Sequence, residues 1–332
     1  MLIRSDLHAH SVTDESHDSL GNRTMHSASQ SLAVAAILLL LSGGDAVSEV
    51  ESSGDALTRH QTGDGIEYGV WGTVTTEPAP TIFMLAGTIE STLEKPYFRQ
   101  CGNELAKHGF LVVSIDLPCH GSQTGEGRPA GLGGWSQRIG NDEDIVAEAN
   151  ARLSKVLDHL IETGVTDPDR IAVGGTSRGG FLAIHFAAHD HRVKCAAGFA
   201  PVTDLAALSE FRDRQDHPLV LKLSVVKQAE KLAGRPVWIV IGDRDDRVGT
   251  QKAVQLASHL SEVARQLDIA SNVELHVMSE SRGHTTPHNP WRGLTCTFRS
   301  AGAVCRRQGS PPPRQDCQCG ECCVARSRVL IV

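Results

Sequence analysis

A serine flanked by glycines, a cluster of aspartates and a late histidine are the residues of this chain whose types and order could do chemistry. Gly175-Thr176-Ser177-Arg178-Gly179 has the G-x-S-x-G spacing. It suits a serine at the tip of a sharp strand-to-helix turn, where bulky neighbours would collide and where the hydroxyl stands clear of the sheet edge. A serine hydroxyl is a weak nucleophile near neutral pH. It needs a base beside it, and that base needs a carboxylate to hold its tautomer and stabilise its charged form. Downstream, "DRDDRVGT" supplies Asp243, Asp245 and Asp246, and "SESRGHTTP" supplies His284, 39 residues beyond Asp245. The chemistry this constellation could perform is acyl transfer, with Ser177 as nucleophile, His284 as general base and an aspartate as its orienting partner.

The elements around these residues are those the chemistry requires. "RIAVGG" is a short β-branched run introduced by the turn sequence "TDPD", and "RGGFLAIHFAAHD" reads as a helix packed inside a layered domain. Ser177 therefore sits between strand and helix. "VWIVIG" (237–242) precedes the aspartates and "VELHVM" (273–278) precedes His284. Both candidate partners thus follow carboxyl ends of strands, where open α/β sheets place their ligands. Further strands are expected at 81–86, 110–116 and 193–200. Helices are expected over 96–109, with Phe98, Cys101 and Leu105 on one face, over 142–163 and over 250–267. Strands alternating with helices imply a mostly parallel central sheet covered on both faces. The glycine-rich stretch 119–140 reads as a long irregular loop forming one wall of a substrate cleft. Its glycines do not cradle a phosphate, because no G-K-[ST] follows them.

Both ends of the chain differ from the middle. Residues 1–60 read as an N-terminal extension. Within it, Leu32–Leu41 is an unbroken apolar run of ten residues, too short to span a bilayer. With Gly44-Asp45-Ala46 as a cleavage site it suits a secretory signal over 25–46, starting from Met25. Export to a periplasmic or extracellular location follows if that signal is used, and a cytoplasmic location if it is not. No stable membrane insertion is expected. Residues 291–332 carry seven arginines, no lysine and six of the nine cysteines, with no helical or strand period. Cys317, Cys319, Cys322 and Cys323 are too crowded for a structural zinc knuckle, so no metal is assigned. A disulfide-rich tail is one reading; the preferred one is an irregular segment foreign to the fold, such as a frameshifted coding end. Between the ends, residues 61–290 form the expected domain. A net charge of -7 and the lack of a basic patch interleaved with aromatics exclude nucleic acid as a partner.

Taken together, "DPDRIAVGGTSRGGF", "APVTDL" (200–205), "GDRDDRV" (242–248) and "GH" (283–284) resemble the α/β-hydrolase superfamily, and within it the group of dienelactone hydrolase and the prolyl oligopeptidase catalytic domain. The resemblance covers about residues 65–290. It implies the α/β-hydrolase fold and a triad of Ser177, Asp245 and His284, with Asp246 as the alternative acid and Asp243 capping the turn. It also implies an oxyanion hole made by the backbone N–H groups of Arg178 and of Thr88, or Gly87 in its place. The Arg178 side chain would either pair with a neighbouring acid, the simpler expectation, or favour a substrate carboxylate. No metal or organic cofactor is implied. The implied activity is hydrolysis of a small-molecule carboxylic ester through an acyl-enzyme. A prolyl oligopeptidase-like peptidase is the first alternative, and a hydrolase-like protein impaired by its unusual C-terminus is the second.

Overall fold

In the computed structural model, the described residues are 56–286 together with the backbone of Arg328–Ile331. The signal segment and nearly all of the 291–332 tail lie outside them. Nine strands form one sheet: β1 (Leu57–Gln61), β2 (Glu67–Trp71), β3 (Ala79–Leu85), β4 (Leu111–Ser114), β5 (Thr166–Thr176), β6 (Val193–Phe199), β7 (Val237–Gly242), β8 (Val273–Met278) and β9 (Arg328–Ile331). Their spatial order is β1-β2-β4-β3-β5-β6-β7-β8-β9. The β1–β2 and β2–β4 pairs are antiparallel and every later pair is parallel. Each parallel pair needs a crossover, and helices supply those that link the strands from β3 to β8. The tail contributes the backbone of β9, which pairs with β8 through Glu274–Arg328 to Val277–Ile331.

The central strands are apolar on both faces, as a sheet covered on two sides demands. In β3, Phe83 and Leu85 point into one core while Ile82 and Met84 point into the other. In β7 the same alternation separates Val237, Ile239 and Ile241 from Trp238 and Val240. The first core is filled from α4 (Gly131–Gly140), α5 (Ile145–Glu162), α6 (Arg178–His189), α7 (Pro218–Lys222), α8 (Ala229–Leu232) and α9 (Thr250–Gln266). The second is filled from α1 (Ile89–Leu93) and α3 (Gly102–Ala106), while α2 (Pro96–Arg99) between them buries no residue. Helix α5 starts on an Asp144 cap that accepts the Ala147 N–H, and its Val146, Ala149, Leu153, Val156, Leu157 and Leu160 stripe is buried. Each large side chain buried this way contributes roughly 1.5–3 kcal/mol.

Two expectations are corrected. The helix foreseen over 96–109 is broken at Gln100, whose φ of 46° and ψ of -121° end α2 before α3 begins. The stretch 119–140 is not irregular throughout, because Gly131–Gly140 forms α4. Leu132, Trp135 and Ile139 carry its buried stripe, and the Trp135 indole N–H donates to Pro118 O at 2.6 Å. Four glycines hid the helix. At Gly134 the reason for glycine is steric, since a Cβ there would lie 2.2 Å from Pro129 O. The antiparallel hairpin β1–β2 and the short α1 carry too little periodicity to be read from sequence. The "TDPD" turn signal has a structural counterpart: the β3–β5 register jumps from Ala79–Thr166 to Thr81–Ile171, so the intervening residues bulge out of the ladder.

Candidate active site

Ser177 stands at the junction of β5 and α6 with φ 55° and ψ -117°, a conformation that costs a non-glycine residue of order 1–3 kcal/mol. The surroundings impose it. The Ser177 N–H donates to Phe199 O at 2.9 Å, and its carbonyl accepts the Phe181 and Val202 N–H groups at 3.1 and 3.0 Å. The two glycines of the motif are steric necessities. A Cβ on Gly175 would lie 2.4 Å from the Gly179 carbonyl carbon, and one on Gly179 would lie 1.9 Å from Leu85 O. Although Ser177 occupies the cap position of α6, its hydroxyl makes no capping bond. That leaves Oγ to the histidine: His284 Nε2 is 2.9 Å away.

His284 comes from the loop after β8. Gly283, with φ 77°, turns the chain ahead of it. Asp243 Oδ1 accepts the Glu280 N–H at 2.9 Å, and Glu280 accepts the Arg282 N–H at 2.9 Å, so the loop is fixed on its approach side. Tyr97 from α2 touches the far side, its hydroxyl 3.2 Å from Thr285 Oγ1 and 3.3 Å from the Thr286 amide nitrogen. His284 Nδ1 is 2.8 Å from Asp245 Oδ2. A carboxylate only accepts, so this contact puts the proton on Nδ1 and the lone pair on Nε2, facing Ser177. Asp245 is 1% exposed and is held by the β7–α9 turn. Its Oδ1 accepts the Arg247 and Val248 N–H groups at 3.1 and 3.2 Å. Asp246 is exposed, and the carboxylate bonded to His284 is that of Asp245.

The two candidate oxyanion donors behave differently. Arg178 is the first residue of α6, so its N–H has no acceptor within the helix. The Thr88 N–H is engaged. It donates to Ser91 Oγ at 2.9 Å inside the capping box that starts α1, which corrects the expectation placed on Thr88. The preceding Gly87 N–H reaches Thr92 Oγ1 only at 3.4 Å. The turn that carries both is anchored from β4: Leu117 N–H donates to Gly87 O at 3.0 Å, and Ile89 N–H donates to Asp116 Oδ1 at 2.8 Å. Asp116, 3% exposed, also accepts from the Ser122 amide and hydroxyl.

The sequence did not single out His120, yet it belongs to this neighbourhood. Its position after a strand end, next to a glycine, was the available signal. His120 Nδ1 is 2.9 Å from Pro118 O and its Nε2 is 3.0 Å from Arg178 Nη1. Burial, together with the Arg178 charge, holds the His120 ring below its ordinary pKa. The carbonyl requires a proton on Nδ1, so Nε2 accepts from the guanidinium. Among the described residues no cluster of three or more His, Cys, Asp or Glu side chains could hold a metal ion. The buried thiols Cys101 and Cys195 are raised by burial and sit away from this chemistry.

Comparison with known proteins adds the context. A model of the prolyl oligopeptidase family matches residues 150–289, the span holding Ser177, Asp245 and His284. Esterase YjfP of Escherichia coli is 24% identical over 202 residues, covering 57% of this chain and 77% of that protein. Dipeptidyl peptidase family member 2 of Caenorhabditis elegans is 32% identical over 125 residues, but these span only 35% of this chain and 15% of that much longer protein. Among solved structures, a cold-adapted esterase from an Arctic intertidal metagenomic library superposes with a TM-score of 0.50 at 18% identity, covering 75% of this chain and 93% of the other.

Proposed function

Since the chain is a hydrolase of the α/β-hydrolase superfamily, we propose that it cleaves carboxylic esters through Ser177, His284 and Asp245 by way of an acyl-enzyme. The observation that carries this reading is the unbroken relay from Ser177 Oγ through His284 Nε2 and Nδ1 to Asp245 Oδ2, with contacts of 2.9 and 2.8 Å. Ser177 Oγ attacks the ester carbonyl and its proton passes to His284 Nε2. The developing oxyanion is received by the Arg178 N–H and, in place of Thr88, the Gly87 N–H. Collapse of the tetrahedral species expels the alcohol, which takes the proton from His284. Water, deprotonated by the same nitrogen, then releases the acid and restores Ser177. Asp245 keeps His284 in the accepting tautomer and stabilises the imidazolium.

Peptide-bond cleavage is the second reading, motivated by the prolyl oligopeptidase match over 150–289. The ester reading is favoured because the esterase relative is matched over 77% of its length, whereas the dipeptidyl peptidase relative is matched over 15%. The test is hydrolysis of 4-nitrophenyl butyrate and of a proline 4-nitroanilide by the protein and by Ser177→Ala. Mass spectrometry of fluorophosphonate-treated protein would locate the adduct. Ester turnover lost in the variant, with the label on Ser177, is expected. Turnover of the anilide alone would favour the peptidase reading, and an unlabelled Ser177 in folded protein would overturn both.

A further inference from the structure

The Arg178 side chain stands beside Ser177 without the acid that the sequence led us to expect. Its only hydrogen bond among the described residues runs from Nη1 to His120 Nε2, a neutral acceptor, and it forms no ion pair with a described residue. The neighbouring charges do not supply one. Arg247 is bonded to Glu210 at 2.5 Å, so that carboxylate is engaged elsewhere and forms no ion pair with Arg178.

Its placement is costly. The guanidinium is partly buried, and it belongs to the first residue of α6, where the helix dipole disfavours a cation. Burial first, then the Arg247 charge, push its pKa down against a smaller opposing pull from Glu210. A protein group that would repay such desolvation is a bonded carboxylate, and among the described residues none bonds to Arg178, the Glu210 carboxylate being held by Arg247.

The guanidinium also lies where a substrate would meet it. It is wedged between His120 and the start of α4, 3.0 Å from where a Cβ on Gly131 would be. The His120 ring in turn lies 3.6 Å from the corresponding point on Gly87, in the turn assigned above to the oxyanion. Arg178 thus flanks the reaction centre on its oxyanion side.

We propose that Arg178 is a specificity residue for an ester that carries a carboxylate, with the guanidinium of Arg178 receiving that carboxylate while Ser177 attacks the ester carbonyl. The inference rests on the serine-hydrolase reading above. It leaves two places for the anion, the acyl chain or the leaving alcohol, and the experiment separates them.

Two substrate pairs, each an anion and a neutral counterpart, serve as probes. For the acyl chain they are mono-4-nitrophenyl adipate and 4-nitrophenyl hexanoate. For the leaving group they are 4-acetoxybenzoate and 4-acetoxybenzamide. The quantity read is the ratio of kcat/KM for the anion to that for its counterpart, after subtracting spontaneous hydrolysis. In the wild-type protein one pair should favour the anion. In Arg178→Gln, which keeps the backbone N–H, that ratio should fall about tenfold or more, the range expected for a charge-assisted hydrogen bond. Arg178→Lys should recover part of it. Arg265→Gln, which removes an exposed charge on α9, should leave it unmoved. Wild-type protein that turns over both neutral esters but prefers neither anion overturns the proposal even if Arg178→Gln fails to fold. So does a ratio that Arg178→Gln leaves unchanged in both pairs. Absence of turnover of any of the four esters, with Ser177 unlabelled by a fluorophosphonate, overturns the underlying hydrolase reading instead, and this inference with it.

Discussion

Replacing Asp245 with asparagine changes one atom in the relay and should nearly abolish turnover, for a reason visible in the hydrogen bonds. Asp245 Oδ1 accepts two backbone N–H groups, from Arg247 and Val248, while Oδ2 faces His284 Nδ1. An asparagine amide must choose an orientation. Turning its NH2 toward the two backbone donors would leave donors facing donors in a site 1% exposed to solvent, at a cost of roughly 1–3 kcal/mol for each orphaned group. The carbonyl will therefore take the Oδ1 position and the NH2 will face His284. Nδ1 must then accept, the ring proton moves to Nε2, and Nε2–H points at Ser177 Oγ, where it cannot take a proton. The same tautomer reversal in a serine protease triad costs about 10⁴-fold in kcat, which at 1.36 kcal/mol per factor of ten is about 5 kcal/mol of transition-state stabilisation. The assay is kcat for 4-nitrophenyl butyrate beside a thermal melt. A drop near 10⁴-fold with a melting temperature within a few degrees of wild type is expected, because every backbone bond to the side chain is kept. A loss smaller than tenfold in a folded Asp245→Asn protein would refute the tautomer argument and with it the assignment of Asp245.

Three further changes test other parts of the structure. Gly179→Ala would place a methyl 1.9 Å from Leu85 O, a backbone atom of the central sheet that cannot retreat, so it should cost more than about 3 kcal/mol or prevent folding; denaturant titration reads it directly. Ser177→Gly should be more stable than Ser177→Ala by about 1 kcal/mol or more, since glycine tolerates φ 55° and alanine does not, and equal melting temperatures for the two would deny the strain. His185 is fully buried, donates to Leu223 O at 3.0 Å, and is lowered by burial to a pKa of about 4. The unfolded chain therefore takes up that proton first as pH falls below about 6.5, and stability that is whole above this value is lost progressively toward pH 4. At pH 5 the loss from this group should be about 2 kcal/mol relative to pH 7, and the His185→Phe protein should lose correspondingly less over that interval in urea titrations.

What the sequence disclosed and what it withheld divide along a physical line. The strand β5, the Ser177 turn, the strands β7 and β8 and the helices α5 and α9 were legible because their periodicity or β-branched runs extend over enough residues to stand out. The placement of Asp245 and His284 was legible because both follow carboxyl strand ends in the order the chemistry needs. By contrast α4 was hidden, since Gly131, Gly133, Gly134 and Gly140 lower its helix propensity and only packing against Pro129, Cys119 and Arg214 explains two of them. The break at Gln100 was equally invisible, because a positive φ at a buried glutamine is imposed by tertiary contacts and leaves no local mark. Thr88 was misassigned for a related reason: the distance between Thr88 and Ser91 permits a capping box, but nothing local says whether that box or an oxyanion would claim the amide.

The same contacts explain why Ser177 can be both strained and reliable. Its φ of 55° survives because β5 and α6 are each fixed independently of it. The strand is paired on both sides by β3 and β6, and all but two of the residues from Arg178 to His189 are buried, so neither element can rotate to relax the turn. The strain is thus confined to one residue, and its consequence is directional: a hydroxyl that would otherwise cap α6 is aimed at His284. Arg178 inherits the same constraint, because the residue after such a turn begins the helix with no acceptor in it for its N–H, and its partly buried side chain meets His120. A charged residue there fits a neutral ester poorly, since it desolvates without compensation each time substrate excludes water. It fits an anionic one well, and this asymmetry ties the choice of residue at 178 to the choice of substrate.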